Sequence, residues 1–409
     1  MKYLSLLFLA SFFAYSGSAK ISNHSGNLNL LQNKLKSILD HEMSEYMKKY
    51  PDYPGGIALQ VLVKGKSHFA TSQFMTTVTD QYHFRAASNT KTFTAAAILL
   101  LHQQGKLNIE DCLTDTIPNM NELYLPDMPL FAIPHKSSIS IHDLLRHRAG
   151  VFDVTNDPVP DSIDFDLPYK GHNYLAYMMR QKPNHDFTPD ELIGVVAAAG
   201  LSYFEPGKGY HYSNTGYSIL ARIIERVSRQ PYDEYLLEHI IQPMGLTNTH
   251  IPVMGHDQEM PRPFLPGYFL ENGNITDVTL SNISGNIAEG NIITTLSDLS
   301  RFIRTLLRGE GPLSSYTIHS FMMNAIPVNT NTNFAYGCGL SYTNGLGYGH
   351  NGAHKGYLSL MVYDPEADIS IVMVTNTWNF NRGFQTIYEQ LQDFMLNIAF
   401  NVRLAVIEN

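Results

Sequence analysis

The sequence predicts an α+β fold: an antiparallel sheet flanked by helices, with an inserted all-helical lobe. Two observations carry this. β-rich segments lie towards both ends of the chain, and much of the stretch between them repeats apolar residues at helical spacing. In chain order, Gly56 to Val63 reads as a strand, and Lys64-Gly65-Lys66 turns it into a second that runs past Phe69 to Phe74. Helical runs follow at 89–104, 140–147, 190–200, 215–228 and 233–242. Segments 116–136, 152–189 and 249–280 are rich in Pro, Asp, Asn and Gly and are expected to be long surface loops. A further strand pair is expected at 357–363 and 369–375, joined by the turn-prone Asp364-Pro365-Glu366-Ala367-Asp368. The last segment, 383–400, places Phe384, Ile387, Leu391, Phe394, Met395 and Ile398 at helical spacing. If the terminal strands share one sheet, residues 20–409 form a single domain, with a sheet lobe about 27–110 and 325–409 and a helical lobe about 111–324. The cleft between the lobes is then the expected site.

Composition narrows the function. The 409 residues hold 28 Lys+Arg against 37 Asp+Glu, a formal charge of −9, with 44% hydrophobic and 16% charged residues. That is too apolar for a disordered chain and too interrupted for a multi-span membrane protein. A negative chain without a Lys/Arg run argues against nucleic acid or anionic lipid as the main partner. Two cysteines rule out a disulfide framework and a Cys-based zinc site; Cys112 and Cys338 either pair or remain free buried thiols. The 17 histidines show no His-Glu-x-x-His or comparable cluster, so no metal is expected. Residues 1–19 read as a signal peptide, with Lys2, an apolar stretch from Leu4 to Tyr15, and the small-residue cleavage signal Gly17-Ser18-Ala19. The alternative is an uncleaved anchor, for which the apolar stretch is short. The mature chain is expected to be periplasmic or secreted, without stable membrane insertion.

Three short motifs carry chemistry. Ser88-Asn89-Thr90-Lys91 opens the helix that runs to Gly105. Positions i and i+3 share a helical face, which sets the Lys91 amine one turn above the Ser88 hydroxyl. The rest of that helix is apolar nearly all round, so Lys91 is expected to be buried, and desolvation gives an amine able to accept or relay the serine proton. By itself the pattern equally describes a Ser N-cap and a surface Lys. The second motif, Tyr212-Ser213-Asn214, precedes a helix that Asn214 or Thr215 is expected to cap. A Tyr near ammonium groups loses its proton more easily and is a candidate general base. The third, Gly349-His350-Asn351-Gly352-Ala353-His354-Lys355-Gly356, stands just before a strand. Its glycines let the backbone approach a ligand, and the imidazole can bind a carboxylate or polarise a hydroxyl.

Together, and in this order, the motifs resemble the serine β-lactamase and DD-peptidase superfamily, in its branch of class C β-lactamases, D-alanyl-D-alanine carboxypeptidases, D-aminopeptidases and related esterases. Ile139 to Gly150, Ile240 to Thr249, Gly290 to Asp298 and Tyr336-Gly337-Cys338-Gly339 also resemble that branch, so the likeness covers roughly residues 35–378. It implies Ser88 as nucleophile, Lys91 as its activating partner and Tyr212 as general base for acylation. It implies Asn214 as a ligand for the substrate amide, His350 as the group at the third motif, and an oxyanion hole from the backbone amides of Ser88 and of Ala353, which follows Gly352. The reaction implied is acyl transfer through a Ser88 ester on a small or peptidoglycan-derived substrate, with no metal or organic cofactor. A carboxypeptidase-like D-peptidase is the reading; a β-lactamase or carboxylesterase of the same fold, or a non-catalytic envelope binding protein, are the alternatives. His350-Asn351-Gly352 departs from the Lys-Thr-Gly usual in β-lactamases of the branch, and the chain has no Glu-x-x-Leu-Asn deacylation segment. A neutral His350 is expected to attract a carboxylate less than a lysine does, with affinity rising as pH falls through its ordinary pKa of about 6.5. Asn291 stands where relatives often carry Gly.

Overall fold

The computed structural model describes residues 24–329 and 334–408; the signal-peptide expectation lies outside them. Ile57–Val63 (β1) turns into Lys66–Ser72 (β2) through Lys64 and Gly65. Both turn residues have positive φ, 48° and 78°, the geometry of a two-residue hairpin whose twist matches its strands. The other strands come from the far end of the chain: Ile326–Pro327 (β3), Phe334–Tyr336 (β4), Ser341–Thr343 (β5), Gly347–His354 (β6), Tyr357–Asp364 (β7) and Ile369–Thr375 (β8). They complete an eight-stranded sheet in the order β2-β1-β8-β7-β6-β5-β4-β3, antiparallel throughout. Ile57 stands opposite Ser72 on one side and Thr375 on the other. The third motif lies mostly within β6 and, as expected, stands just before a strand, β7.

Alternation along the strands divides the core in two. Leu59, Leu358, Leu360 and Met373 face Leu35, Leu39 and Met43 of the helix His24–Lys49, together with Met395, Ile398 and Val402 near the C-terminus. Ala58, Met361, Val372 and Val374 face the other way, into the larger core shared with the helices Thr90–Gln103 and Leu296–Leu307. There Phe93 and Phe302 stack with ring centroids 3.5 Å apart and planes within 6°. On its far side Thr90–Gln103 packs on Asn214–Ser228. The Ser88 helix is thus held between the sheet and the helical layer.

Several elements differ from expectation, each for a local reason. The run 140–147 shortens to Ile141–Leu145, started by a reciprocal capping box between Ser140 and Asp143. Segment 152–189 contains the helix Tyr174–Gln181, whose N-terminus Asn173 caps by accepting from Ala176 N at 2.8 Å. Segment 249–280 contains a hairpin, Tyr268–Glu271 with Asn274–Asp277, turned through Asn272 and Gly273, both at positive φ. Asn and Gly in these segments are caps and hairpin turns as well as loops. The helices His24–Lys49 and Leu296–Leu307 are additional to the predicted set. Cys112 and Cys338 are unpaired; Cys112 is half-buried, and burial pushes the Cys338 thiol up to about 12. Among the described residues, no helix is long and apolar enough to cross a membrane.

Phe302→Ala removes the ring that ties Leu296–Leu307 to the Ser88 helix. It should cost about 3–5 kcal/mol of stability, read from urea unfolding. A loss below about 1 kcal/mol would show that the stack does not join the two helices.

Candidate active site

Ser88 is presented by a strained turn. Phe84–Arg85 pairs with Ile293–Thr294, and the chain then passes through Ala87 at φ 51°. That left-handed conformation costs a non-glycine residue about 1–2 kcal/mol, so its surroundings must impose it. They do so from both sides. Ala86 N donates to Ile292 O at 2.9 Å, and Asn89 Nδ2 donates to Ala86 O at 2.9 Å and to Ser359 Oγ at 2.8 Å. Ser88 lies in the tight turn Ala87–Asn89 just before the α-helix, and no side-chain hydrogen bond caps that helix. The capping reading of Ser88 is therefore corrected, and its hydroxyl is left for the cleft. β6 lies against this turn: a Cβ on Gly352 would stand 2.2 Å from Ala86 O and 2.5 Å from Ser359 Oγ. Only glycine permits that approach, which brings the Ala353 backbone beside the Ser88 turn.

Lys91 has no exposed surface. Its Nζ lies 3.3 Å from Ser88 Oγ, 2.6 Å from Asn214 Oδ1, 2.9 Å from Glu289 O and 3.2 Å from Glu289 Oε2. Burial pushes the ammonium below its ordinary value, and the Glu289 charge pulls it back up. The Glu289 carboxyl is raised by its own burial, against the lowering pull of Lys91. The helix is also less apolar than expected. Thr90 Oγ1 accepts from Ile292 N at 3.1 Å, Thr94 Oγ1 donates to Ala288 O at 2.7 Å, and Thr92 Oγ1 donates to Gly339 O at 2.8 Å. Thr90 and Thr94 thereby hold the segment that carries Glu289. Asn291 now has a physical role: buried, it accepts from Ala288 N at 3.1 Å and donates to Pro252 O at 3.0 Å, fixing the turn in which Ala288 has φ 69°. Glu289 itself escaped the sequence reading; a lone carboxylate in the apolar run from Ile287 to Ile293 was the available signal.

The second motif meets the first from the helical side. Ser213 is the N-cap of Asn214–Ser228, accepting from Gly216 N at 3.2 Å, where Asn214 or Thr215 was expected. The shift frees the Asn214 side chain, which accepts from Lys91 and donates through Nδ2 to Thr155 Oγ1 at 2.9 Å. Asn214 N donates to Asp153 Oδ2 at 3.1 Å. The Tyr212 phenol stands near the Ser88 hydroxyl, which eases its ionisation, and Lys91 Nζ lies 4.7 Å from the centre of its ring. His147 packs against the same ring at 4.2 Å. The expectation that neighbouring cations would ease ionisation of Tyr212 is corrected. Burial pushes the phenol well above its ordinary value, and Glu289 and Asp153 push the same way, against the Ser88 hydroxyl.

His350 also departs from expectation. Its Nδ1 lies 2.6 Å from the Asn351 carbonyl, which can only accept, so Nδ1 carries the proton. Nε2 then accepts from the Tyr336 hydroxyl at 2.8 Å. Neither ring nitrogen is left to donate to a carboxylate or to Tyr212. Burial, with the Lys91 charge, pushes its pKa down to about 3, so it does not titrate near 6.5. Tyr336 is the partner that sequence reading left without a role.

The Beta-lactamase family profile matches residues 43–394, and the chain belongs to that family. A D-stereospecific amidohydrolase from Streptomyces sp. superposes with a TM-score of 0.70 at 24% identity, covering 88% of this chain and 98% of that one. A D-amino acid amidase from Ochrobactrum anthropi SV3 gives 0.71 at 22% identity, covering 92% and 99%. At these identities the likeness is one of fold. Two Bacillus subtilis (strain 168) proteins named as penicillin-binding proteins are each 25% identical. PbpX aligns over 296 residues, 72% of this chain and 62% of that protein, and the second aligns over 338, 78% and 66%. The match therefore spans somewhat less than two thirds of those relatives' length.

A histidine held neutral by burial makes stability depend on pH. The unfolded imidazole binds a proton below about 6.5 while folded His350 does not until about 3, so stability should fall as pH drops between those values. The loss approaches about 1.4 kcal/mol per pH unit once pH is well below 6.5. His350→Asn should lose less stability than wild type between pH 6.5 and 5 in urea titrations. Equal losses would mean the folded imidazole is protonated in that range.

Proposed function

We propose that the protein is an exported serine hydrolase that cleaves D-amino-acid amide and peptide bonds through a covalent acyl-enzyme on Ser88. One observation carries the reading: Lys91 Nζ lies 3.3 Å from the Ser88 hydroxyl and 4.7 Å from the centre of the Tyr212 ring. Ser88 Oγ attacks the scissile carbonyl as its proton passes to the Lys91 side. Backbone N–H groups of Ser88 and Ala353 receive the developing oxyanion; fixed donors there cost no reorganisation. Tyr212, too basic to lose its proton in the resting site, acts as a relay that passes a proton on to the leaving nitrogen. Asn214 orients Lys91, and its second Nδ2 hydrogen serves the substrate amide. Water then releases the acyl group by the reverse proton path.

His350 supports the choice of substrate. A leaving group carrying a carboxylate meets no cation at His350, because the imidazole is neutral and both its nitrogens are engaged, and Lys355 Nζ lies over the Phe269 ring instead. Amides and esters lose nothing by that, whereas anionic β-lactams do. The D-configuration rests on the names of the fold neighbours, a D-stereospecific amidohydrolase and a D-amino acid amidase. D-Alanyl-D-alanine carboxypeptidase is the second reading, favoured by the penicillin-binding relatives. Export rests on Lys2 and the apolar stretch before Ala19.

The test is mass spectrometry of the protein incubated with a D-Ala-D-Ala peptide, its C-terminal amide, a short-chain ester and a cephalosporin. Amide and ester should turn over fastest; efficient cephalosporin hydrolysis with neither of the others would reject this reading. Ser88→Ala should abolish the acyl adduct and, since Ser88 caps nothing, leave unfolding within about 0.5 kcal/mol of wild type. Tyr212→Phe keeps the ring on His147 but removes the relay, and acylation should slow by roughly 10²–10⁴. An unchanged rate would leave Lys91 as the whole proton path.

A further inference from the structure

The Lys91–Glu289 pair is the most deeply buried ion pair among the described residues, with side chains 0% and 3% exposed. A lysine ammonium has three hydrogens and no lone pair. Three neighbours of Nζ are acceptors: Asn214 Oδ1, Glu289 O and Glu289 Oε2. The fourth neighbour is Ser88 Oγ. Lys91 can therefore take the Ser88 proton only as it gives up one of its own. An amide oxygen and a backbone carbonyl cannot keep a proton at neutral pH; a carboxylate can. Asn286 Nδ2 holds the other carboxylate oxygen, so Oε2 stays turned to Lys91.

We propose that Glu289 is a positioning residue that stores the Ser88 proton, acting through Lys91. It rests on the reading of Ser88 as nucleophile. As Ser88 Oγ bonds to the acyl carbon, its O–H bond breaks; the proton joins Lys91, and Lys91 passes one to Glu289 Oε2. The pair moves from neutral to a net charge of +1 while the oxyanion gains −1, so the buried site stays balanced. When the C–N bond breaks, the proton returns through Lys91 and Tyr212 to the leaving nitrogen. If the resting pair instead holds its proton as amine and carboxylic acid, the total is the same. The charged and titratable groups facing Glu289 are Lys91, Tyr212, Asp153 and Tyr232; Lys91 is the one in hydrogen-bond contact.

A distinctive signature follows. The pair fails at low pH, when both members are protonated. Without the carboxylate, function waits for Lys91 alone to lose a proton, and that requires a higher pH than releasing one from either member. The experiment is the burst rate of a p-nitrophenyl ester against pH, in the full-length protein, for wild type, Glu289→Gln, Glu289→Ala and Glu289→Asp. In Gln and Ala the acid limb should move up by at least one pH unit, lowering acylation at pH 7 about 10-fold or more and recovering at high pH. Asp should move the limb back towards wild type. A purely structural role would lower the rate equally at every pH. An unmoved limb in the carboxylate-free variants, or Asp that restores nothing, overturns the proposal; Ala carries the test if Gln does not fold. A wild type that neither bursts nor turns over the ester would reject the reading of Ser88 instead.

Discussion

Burial of the Lys91 ammonium is the constraint on which the rest of the site depends. A charge with no exposed surface must be satisfied in every direction, and its partners come from separate parts of the chain: the Ser88 turn, the first residue of Asn214–Ser228, and the segment at Glu289. Removing the Glu289 carboxylate strands the ammonium, at about 3–5 kcal/mol. Asn214 is free to turn to Lys91 because Ser213 does the capping, and Glu289 is in place because Thr90, Thr94 and Asn291 hold its turn. The contacts that make this lysine tolerable are those that hold it beside Ser88.

A second constraint acts from the sheet side. Gly352 lets β6 reach the Ser88 turn, and the Asn89–Ser359 hydrogen bond ties that turn to β7. Burial keeps His350, in the same stretch of β6, neutral. Around Ser88 the helical side thus brings Lys91 and Asn214, and the sheet side brings Gly352 and the Ala353 backbone.

How much of this was legible depended on sequence distance. Ser88 and Lys91 could be read because a helix-like spacing of three residues fixes their relation. The terminal strands announced themselves by β-rich runs, and Leu296–Leu307 could have been read from Leu299, Phe302, Ile303 and Leu306, all buried on one side. The cap of the second motif could not be resolved, since Ser213, Asn214 and Thr215 are all competent N-caps. Glu289 was hidden because its partner lies 198 residues away. The directions of the Tyr212 and His350 shifts were misjudged for a related reason: burial sets both, and neither three-residue motif records what will cover it.

The pairing of Ile57 with Thr375 has a temporal consequence. Ribosomes deliver Ser88 and Lys91 early, but Ser359 and Gly352, which complete the surroundings of that turn, arrive only with β6 and β7, and β8 must still slot between β7 and β1. A sheet closed by its last strand folds slowly, because so much chain must be gathered before its contacts repay the entropy. Until then Ser88 and the helix that follows it lack their sheet, although Asn214 and Glu289, the partners of Lys91, have already been made. Ser88 and Lys91 are thus neighbours in the sequence long before the last strand of the sheet completes their surroundings.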